Sequence, residues 1–192
     1  MIRLYCATGN AGKLREFRLA ANHAPVQIEP VPGYKQIPPC EENGATFAEN
    51  ALIKARHYAP YVDGLLFADD SGLVVEALDG APGIYSARFA GPNANDAANN
   101  RLLLEKLRGV PNRAASFVCV IAMVEGGVEK GIYTGRVDGV LLEEARGPGG
   151  FGYDPLFYYP PFACTFGEAS EEQKFVVSHR GQAFRSLLSQ VL

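Results

Sequence analysis

The sequence contains no C-x-x-C pair, no apolar run of membrane-spanning length, no basic stripe and no internal repeat. Each absence removes a class of function. Cys6, Cys40, Cys119 and Cys164 stand far apart, so neither a cysteine zinc site nor a disulfide framework is expected, and a reducing compartment fits best. The apolar stretch from Ile2 to Ala7 is far too short for a signal peptide, which places the expected location in the cytoplasm and away from membranes. A formal charge of -3, with acidic and basic residues interleaved, lacks the field that holds a nucleic-acid backbone. No DNA or RNA partner is expected. Phosphate recognition must then rest on a few local Lys, Arg and backbone amide groups, which suits a small nucleotide better than a polymer.

What is present is material for a full core. With 47% of its 192 residues hydrophobic, the chain is expected to form a single domain over residues 1–192, or two closely joined lobes. Ile2 to Ala7 reads as a strand ending in the Thr8-Gly9-Asn10 turn, and Lys13 to Ala21 as a helix with Leu14, Phe17 and Ala21 on one stripe. A short strand is expected near Val26 to Ile28 within a Pro-rich connection. Thr46 and Glu49 have capping-box spacing for a second helix ending at Tyr58. Gly64 to Ala68 reads as a buried strand broken by Asp69-Asp70-Ser71-Gly72 and resumed by Leu73 to Val75. Asp96 is expected to cap a helix to about Arg108, and two β-rich runs flank Glu125-Gly126-Gly127 as a hairpin. Gly147 to Pro155 cannot be regular structure, and a last helix is expected from about Glu171 to Val191 with an interruption near Gly181. The mixture is that of an α/β protein.

Thr8-Gly9-Asn10-Ala11-Gly12-Lys13 joins a strand to a helix. Such a loop aims free N–H groups and the helix dipole at one point, with Lys13 as an added charge, so it reads either as a phosphate cradle or as an ordinary turn. It is not a Walker loop: the glycine spacing is too short and Leu14 stands where Ser or Thr is needed. Glu41-Glu42 and Asp69-Asp70 flank the second helix and offer the carboxylate oxygens that hard divalent ions prefer. In extended chain, only one member of each pair faces a shared site. For Glu41-Glu42 a solvated loop is the competing reading, whereas a charged pair straight after Leu65 to Ala68 requires compensation. Asn50 and Lys54 lie one helical turn apart and could reach a ligand from one face, although a solvated face is the commoner arrangement. Phe151, Gly152, Tyr153 and Asp154 offer aromatic faces and an acceptor on a permissive backbone, either to stack on a base or to cover the core. Lys174, Ser178, His179 and Arg180 supply donors, in a grouping that is usually surface.

Six segments in register carry a more specific message. They are Thr8-Gly9-Asn10 with Lys13; Glu42 to Gly44 followed by Thr46 to Ala51 and Lys54-Ala55; Ala68 to Leu73; Gly80 to Arg88; Gly149 to Pro155; and Ser178 to Gly181. Together they resemble the inosine/xanthosine triphosphate pyrophosphatase family from the first strand to the last helix. That resemblance implies a long bent mixed sheet flanked by helices, two lobes with a central nucleotide-binding cleft, and a homodimer. It implies that Thr8, Gly9, Asn10, Ala11, Gly12 and Lys13 bind the triphosphate, and that Asp70 binds Mg2+ and accepts a proton. Glu42 would help hold the metal, Lys54 and Ser71 would contact substrate, and Phe151 to Asp154, Lys174, His179 and Arg180 would bind the nucleotide chiefly around its base. Two positions depart from the family pattern: Ala163-Cys164 replaces a usual Gly-Lys pair, and Phe175 replaces a small or polar residue.

The implied activity is hydrolysis of non-standard purine nucleoside triphosphates such as ITP, dITP and XTP to monophosphate and pyrophosphate. The competing readings are a pyrophosphatase for other modified nucleotides and a non-catalytic nucleotide sensor.

Overall fold

The computed structural model describes residues 1–192. Its strands are β1 (Ile2–Cys6), β2 (Val26–Pro30), β3 (Leu65–Val75), β4 (Ala114–Glu125), β5 (Val128–Leu141), β6 (Phe157–Tyr159) and β7 (Cys164–Thr165). Its helices are α1 (Ala11–Ala21), α2 (Phe47–Tyr58), α3 (Asp96–Lys106), α4 (Glu171–Val177) and α5 (His179–Val191). The strands form one mixed seven-stranded sheet in the order β2-β1-β3-β4-β5-β6-β7. β1 pairs in parallel with β2 and β3, as strand-helix-strand connections require, while β6 pairs antiparallel with β5 and β7. The α/β class expected from the sequence is met. No helix is long and apolar enough to cross a membrane.

The chain divides into two compact units: Met1–Asp70 with Cys119–Gly135 and His179–Leu192, and Ser71–Val118 with Arg136–Ser178. In the first, Phe17 of α1, Phe67 of β3 and Phe184 of α5 meet with ring centroids 5.0–5.6 Å apart and are fully buried. Each such ring contributes roughly 1.5–3 kcal/mol through burial. Ala51, Ala55 and Tyr58 press α2 onto Leu66 and Ala68 from the sheet. In the second unit, Phe117, Phe157 and Phe166 centre a core with Leu73, Leu103 and Leu141.

Local chemistry accounts for the elements that position the site. Thr46 caps α2 by accepting from Glu49 N at 3.1 Å, as its spacing predicts. The Glu49 carboxylate reaches back one residue further than a standard capping box, to Ala45 N at 2.7 Å. Gly126 and Gly127 both adopt positive φ (56° and 81°), which a two-residue turn between β4 and β5 requires. Gly135 of β5 is needed for a different reason: a Cβ there would lie 2.0 Å from the carbonyl oxygen of His179, so only glycine lets α5 approach this closely.

Several expectations are corrected. β3 runs unbroken through Asp69 and Asp70, because the Asp69 charge is matched by two cations and leaves no reason for a break. Asn95, not Asp96, caps α3, accepting from Ala98 N at 2.9 Å. The final helical region breaks at Ser178, which is extended (φ -65°, ψ 156°), while Gly181 sits buried inside α5.

Candidate active site

The first unit gathers the loop from Thr8 to Lys13 and the acidic residues. Thr8 Oγ1 accepts from Asn10 N at 3.2 Å, and Asn10 Oδ1 accepts from Lys13 N at 3.1 Å, capping α1. The Asn10 side chain is thus occupied in holding the loop, and the first-turn amides of Ala11 and Gly12 lie at the positive end of the helix dipole. Gly9 passes so close to Tyr34 that a Cβ would lie 3.0 Å from its ring. The loop borders a cavity of about 690 Å³ whose lining includes Glu42, Lys54, Tyr34 and Lys35.

Lys13 points into the protein. Its Nζ is 2.8 Å from Asp69 Oδ2, and Arg180 Nε is 3.7 Å from the same oxygen. Arg180 also pairs with Glu16, a buried carboxylate one turn beyond Lys13 on α1. Burial alone would push the Asp69 carboxyl up, but Lys13, Arg180 and Lys54 together outweigh it and hold it well below the usual carboxylate range. Cys119 Sγ lies 4.0 Å from Asp69 Oδ2. Complete burial, followed by the Asp69 charge, raises the thiols of Cys119 and Cys6, which suits neither as a thiolate.

Asp70 has the opposite character. Burial pushes its carboxyl up to about 6; Lys54 and Lys13 oppose the shift, and the charges of Glu42 and Asp69 add to it. Alternation along β3 turns Asp70 away from the side chain of Asp69. Lys54 connects these groups from α2: its Nζ donates to the Asp69 carbonyl oxygen at 2.9 Å and lies 3.0 Å from Glu42 Oε2. Burial disfavours the Lys54 charge, yet Asp69, Glu42 and Asp70 outweigh burial and raise its pKa.

Asn50, for which a ligand-facing position and a solvated face were the alternatives, is 1% exposed and serves the backbone instead, accepting from Gly44 N at 2.8 Å. A Cβ at Gly44 would fall 2.7 Å from the Glu49 Cβ, so this glycine permits the contact that fixes the loop carrying Glu42.

No group of three or more His, Cys, Asp or Glu side chains converges as a ready-made metal cage. Glu42 and Asp70 nevertheless suit a hard divalent ion completed by phosphate oxygens, because Asp70 is a buried carboxylate whose ionisation an adjacent cation would favour.

The second unit holds the other expected residues. Asp154 Oδ2 accepts from Phe151 N at 2.9 Å and from Lys174 Nζ at 2.6 Å. The Lys174 ammonium also stands 4.8 Å from the Phe151 ring centroid, a cation-π contact that joins three of the residues singled out in the sequence. Gly150 adopts φ 72°, and a Cβ there would lie 2.3 Å from Asp154 Oδ2. Gly152 is held from both sides by α3, donating to Asp96 Oδ2 at 2.7 Å and accepting from Asn100 Nδ2 at 2.9 Å. Tyr153 is buried and donates to the Ser86 carbonyl at 2.7 Å, so it anchors the loop. Ser71, next after Asp70 in β3, is half-buried.

Lys174, Ser178, His179 and Arg180 are all buried, which overturns the reading of that cluster as surface. Sequence reasoning also missed Glu16, Asp96 and Asn100 as supports. Glu16 had a usable signal, its position one turn from Lys13 on the same helix.

Comparison with known proteins decides the family. The profile of the Ham1 family matches residues 4–190. The chain belongs to the Ham1 family. Among its relatives, a protein of Acidobacterium capsulatum named dITP/XTP pyrophosphatase is 47% identical, with 99% of this chain and 98% of the relative covered. One of the same name from an Exiguobacterium species is 45% identical, covering 100% of this chain and 97% of the relative. A solved HAM1 protein from Coxiella burnetii superposes with TM-score 0.88 at 40% identity, over 100% of this chain and 98% of that one. The Staphylococcus aureus Ham1 structure gives 0.86 at 39% identity, over 98% and 97%. The resemblance carried by the six sequence segments is met by this full-length membership.

Proposed function

We propose that this Ham1-family chain hydrolyses non-standard purine nucleoside triphosphates, ITP, dITP and XTP, to the monophosphate and pyrophosphate. The relatives named dITP/XTP pyrophosphatase support the reaction. The observation that carries the assignment of roles is the division of labour between adjacent carboxylates. Asp69 is locked as an anion by Lys13 and Arg180, while Asp70 sits where a proton is retained up to about pH 6. A group poised in that way is suited to take a proton from water.

In this reading, Thr8 to Lys13 receive the phosphates, with Lys13 and the loop amides balancing the charge that builds on the leaving pyrophosphate. Asp70 accepts the proton of a water whose oxygen bonds to the α-phosphorus as the bond to the α–β bridging oxygen breaks. Glu42 and Asp70 would hold the metal, Mg2+, which when bound would neutralise phosphate charge and lower the pKa of water. Lys54 keeps Glu42 in place. Ser71 contacts substrate, and Phe151 to Asp154, Lys174, His179 and Arg180 recognise the base. A 6-keto acceptor on hypoxanthine or xanthine would meet donors that the adenine amino group leaves unpaired. The working form is a cytoplasmic homodimer.

The test is to incubate the protein with ITP, XTP, dITP, GTP and ATP, with and without Mg2+, and identify the phosphorus product. Pyrophosphate released from the first three, and only with metal, is the expected result. Orthophosphate as primary product would place attack at the γ-phosphorus, and tight binding without turnover would make the protein a sensor.

A further inference from the structure

The cavity beside the Thr8–Ala11 loop has a second wall that the assigned residues do not use. It is built by the segment between β2 and α2, where Gly33, at φ 65°, starts a single 3-10 turn over Tyr34–Gln36. The Tyr34 ring stacks on Tyr58 of α2, with centroids 4.6 Å apart and planes 18° from parallel. The near contact between Gly9 and Tyr34 seats this turn against the phosphate loop. Burial and a hydrogen bond with Tyr58 raise the Tyr34 hydroxyl.

The turn carries Lys35 to the same cavity. Its charge differs in kind from that of Lys54, which lines the same cavity, and of Lys13 on α1. Lys13 is paired with Asp69, and Lys54 with Glu42 and the Asp69 carbonyl, whereas Lys35 is exposed and makes no ion pair or hydrogen bond. Of the two cations that line the cavity, Lys54 is already matched by a carboxylate, as is Lys13 at the start of α1, and Lys35 is the unmatched one. A triphosphate anchored with its α-phosphorus at Asp70 brings more negative charge than Lys13 and Lys54 have left to balance.

We infer that Lys35 is a further substrate-positioning residue, whose ammonium takes the terminal phosphate of the nucleoside triphosphate and then the leaving pyrophosphate. The inference rests on the pyrophosphatase reading. An exposed, flexible lysine acts here mainly on binding, so its effect falls on KM rather than kcat and weakens with salt.

The experiment compares wild type with Lys35→Ala and Lys35→Arg, using ITP with Mg2+ at low and at high salt, and measures inhibition by pyrophosphate and by inosine monophosphate. Lys35→Ala is expected to raise KM and the inhibition constant for pyrophosphate by about three- to tenfold. Inhibition by the monophosphate should stay as in wild type, the effect should shrink at high salt, and Lys35→Arg should restore most of it. Equal pyrophosphate inhibition in wild type and Lys35→Ala overturns the inference, as does a loss confined to kcat. Should the wild type release pyrophosphate from no nucleotide, the reading of function fails instead. Calorimetric titration of pyrophosphate with Mg2+ into both proteins then decides on Lys35 by itself: weaker binding to the variant upholds the inference, and equal or absent binding overturns it.

Discussion

Lys54 donates to the backbone carbonyl of Asp69 at 2.9 Å while lying 3.0 Å from the carboxylate of Glu42. One cation on α2 thereby ties the acidic loop to the strand that carries Asp69 and Asp70. It also lowers the Asp70 carboxyl against burial. Replacing Lys54 with Met keeps the stem and removes the charge, so Glu42 loses its partner and Asp70 moves further up. We expect kcat/KM for ITP to fall roughly a hundredfold. Steady-state kinetics with the folded variant, checked by circular dichroism, would show it; a loss below about threefold would mean that Lys54 only packs.

Asp69 should be a stability residue before it is a catalytic one. Its side chain is 1% exposed, and Lys13 and Arg180 both converge on one oxygen. Removing one partner of a buried ion pair leaves uncompensated charge, so Asp69→Asn is expected to cost about 3–5 kcal/mol. The pH dependence has a definite sign. The folded-state pKa is depressed, so the contribution is complete above the unfolded carboxyl value near 4 and is lost as pH falls through the folded value. Urea unfolding from about pH 2.5 to 7 should show the gap between wild type and variant constant at the upper end and narrowing below about pH 4. A gap independent of pH would mean that packing, not charge, holds this position.

These two residues also mark where the sequence was readable. The strand-loop-helix around Thr8 to Lys13, the Thr46 cap and the Gly126-Gly127 turn follow from local rules, because each depends on neighbours within one helical turn. That Asp69-Asp70 demanded compensation was legible too. Which of the two was compensated was not, because Arg180 reaches Asp69 from the far end of the chain. Local pattern likewise placed the last helix break at Gly181, whereas that glycine sits in the first turn of α5, where the helix-interior cost of about 1 kcal/mol does not apply in full. β6 and β7, three and two residues long, are too short for periodicity to reveal. The buried pair of Asp154 and Lys174 was visible only as two separate polar residues.

Asp70→Asn should separate chemistry from folding. If Asp70 accepts the proton of water, turnover falls by at least about a thousandfold. Stability of the metal-free protein moves the other way. The folded carboxyl is raised to about 6, so wild type binds more protons when folded than unfolded, and its stability declines as pH rises from about 4 to about 6. An amide carries no such penalty. The variant is therefore expected to gain about 3 kcal/mol over wild type above pH 6 and nothing from this source below about pH 4. Thermal unfolding in chelator at both pH values, beside an ITP assay with Mg2+, measures both effects. Full turnover in the variant would remove Asp70 from the chemistry, and an unchanged stability gap would mean that the carboxyl is solvated.

Ala163 stands where the resemblance implies a glycine, and its backbone gives that difference a physical consequence. It ends the 3-10 turn Pro160–Phe162 with φ 52° and ψ 28°, and its N–H donates to the Pro160 carbonyl at 3.0 Å. That is the left-handed region, where a Cβ crowds the carbonyl and which costs a non-glycine residue roughly 1–2 kcal/mol. The loop thus keeps a glycine-type conformation with alanine in it. Restoring glycine removes the crowding but adds freedom to the unfolded chain worth about 0.5–1 kcal/mol, so the two effects partly offset each other. We expect Ala163→Gly to stabilise the protein by roughly 0.5–1 kcal/mol without altering kcat or KM. Chemical denaturation alongside the ITP assay checks both halves. A destabilised variant would show that the alanine methyl packs productively enough to outweigh its backbone strain.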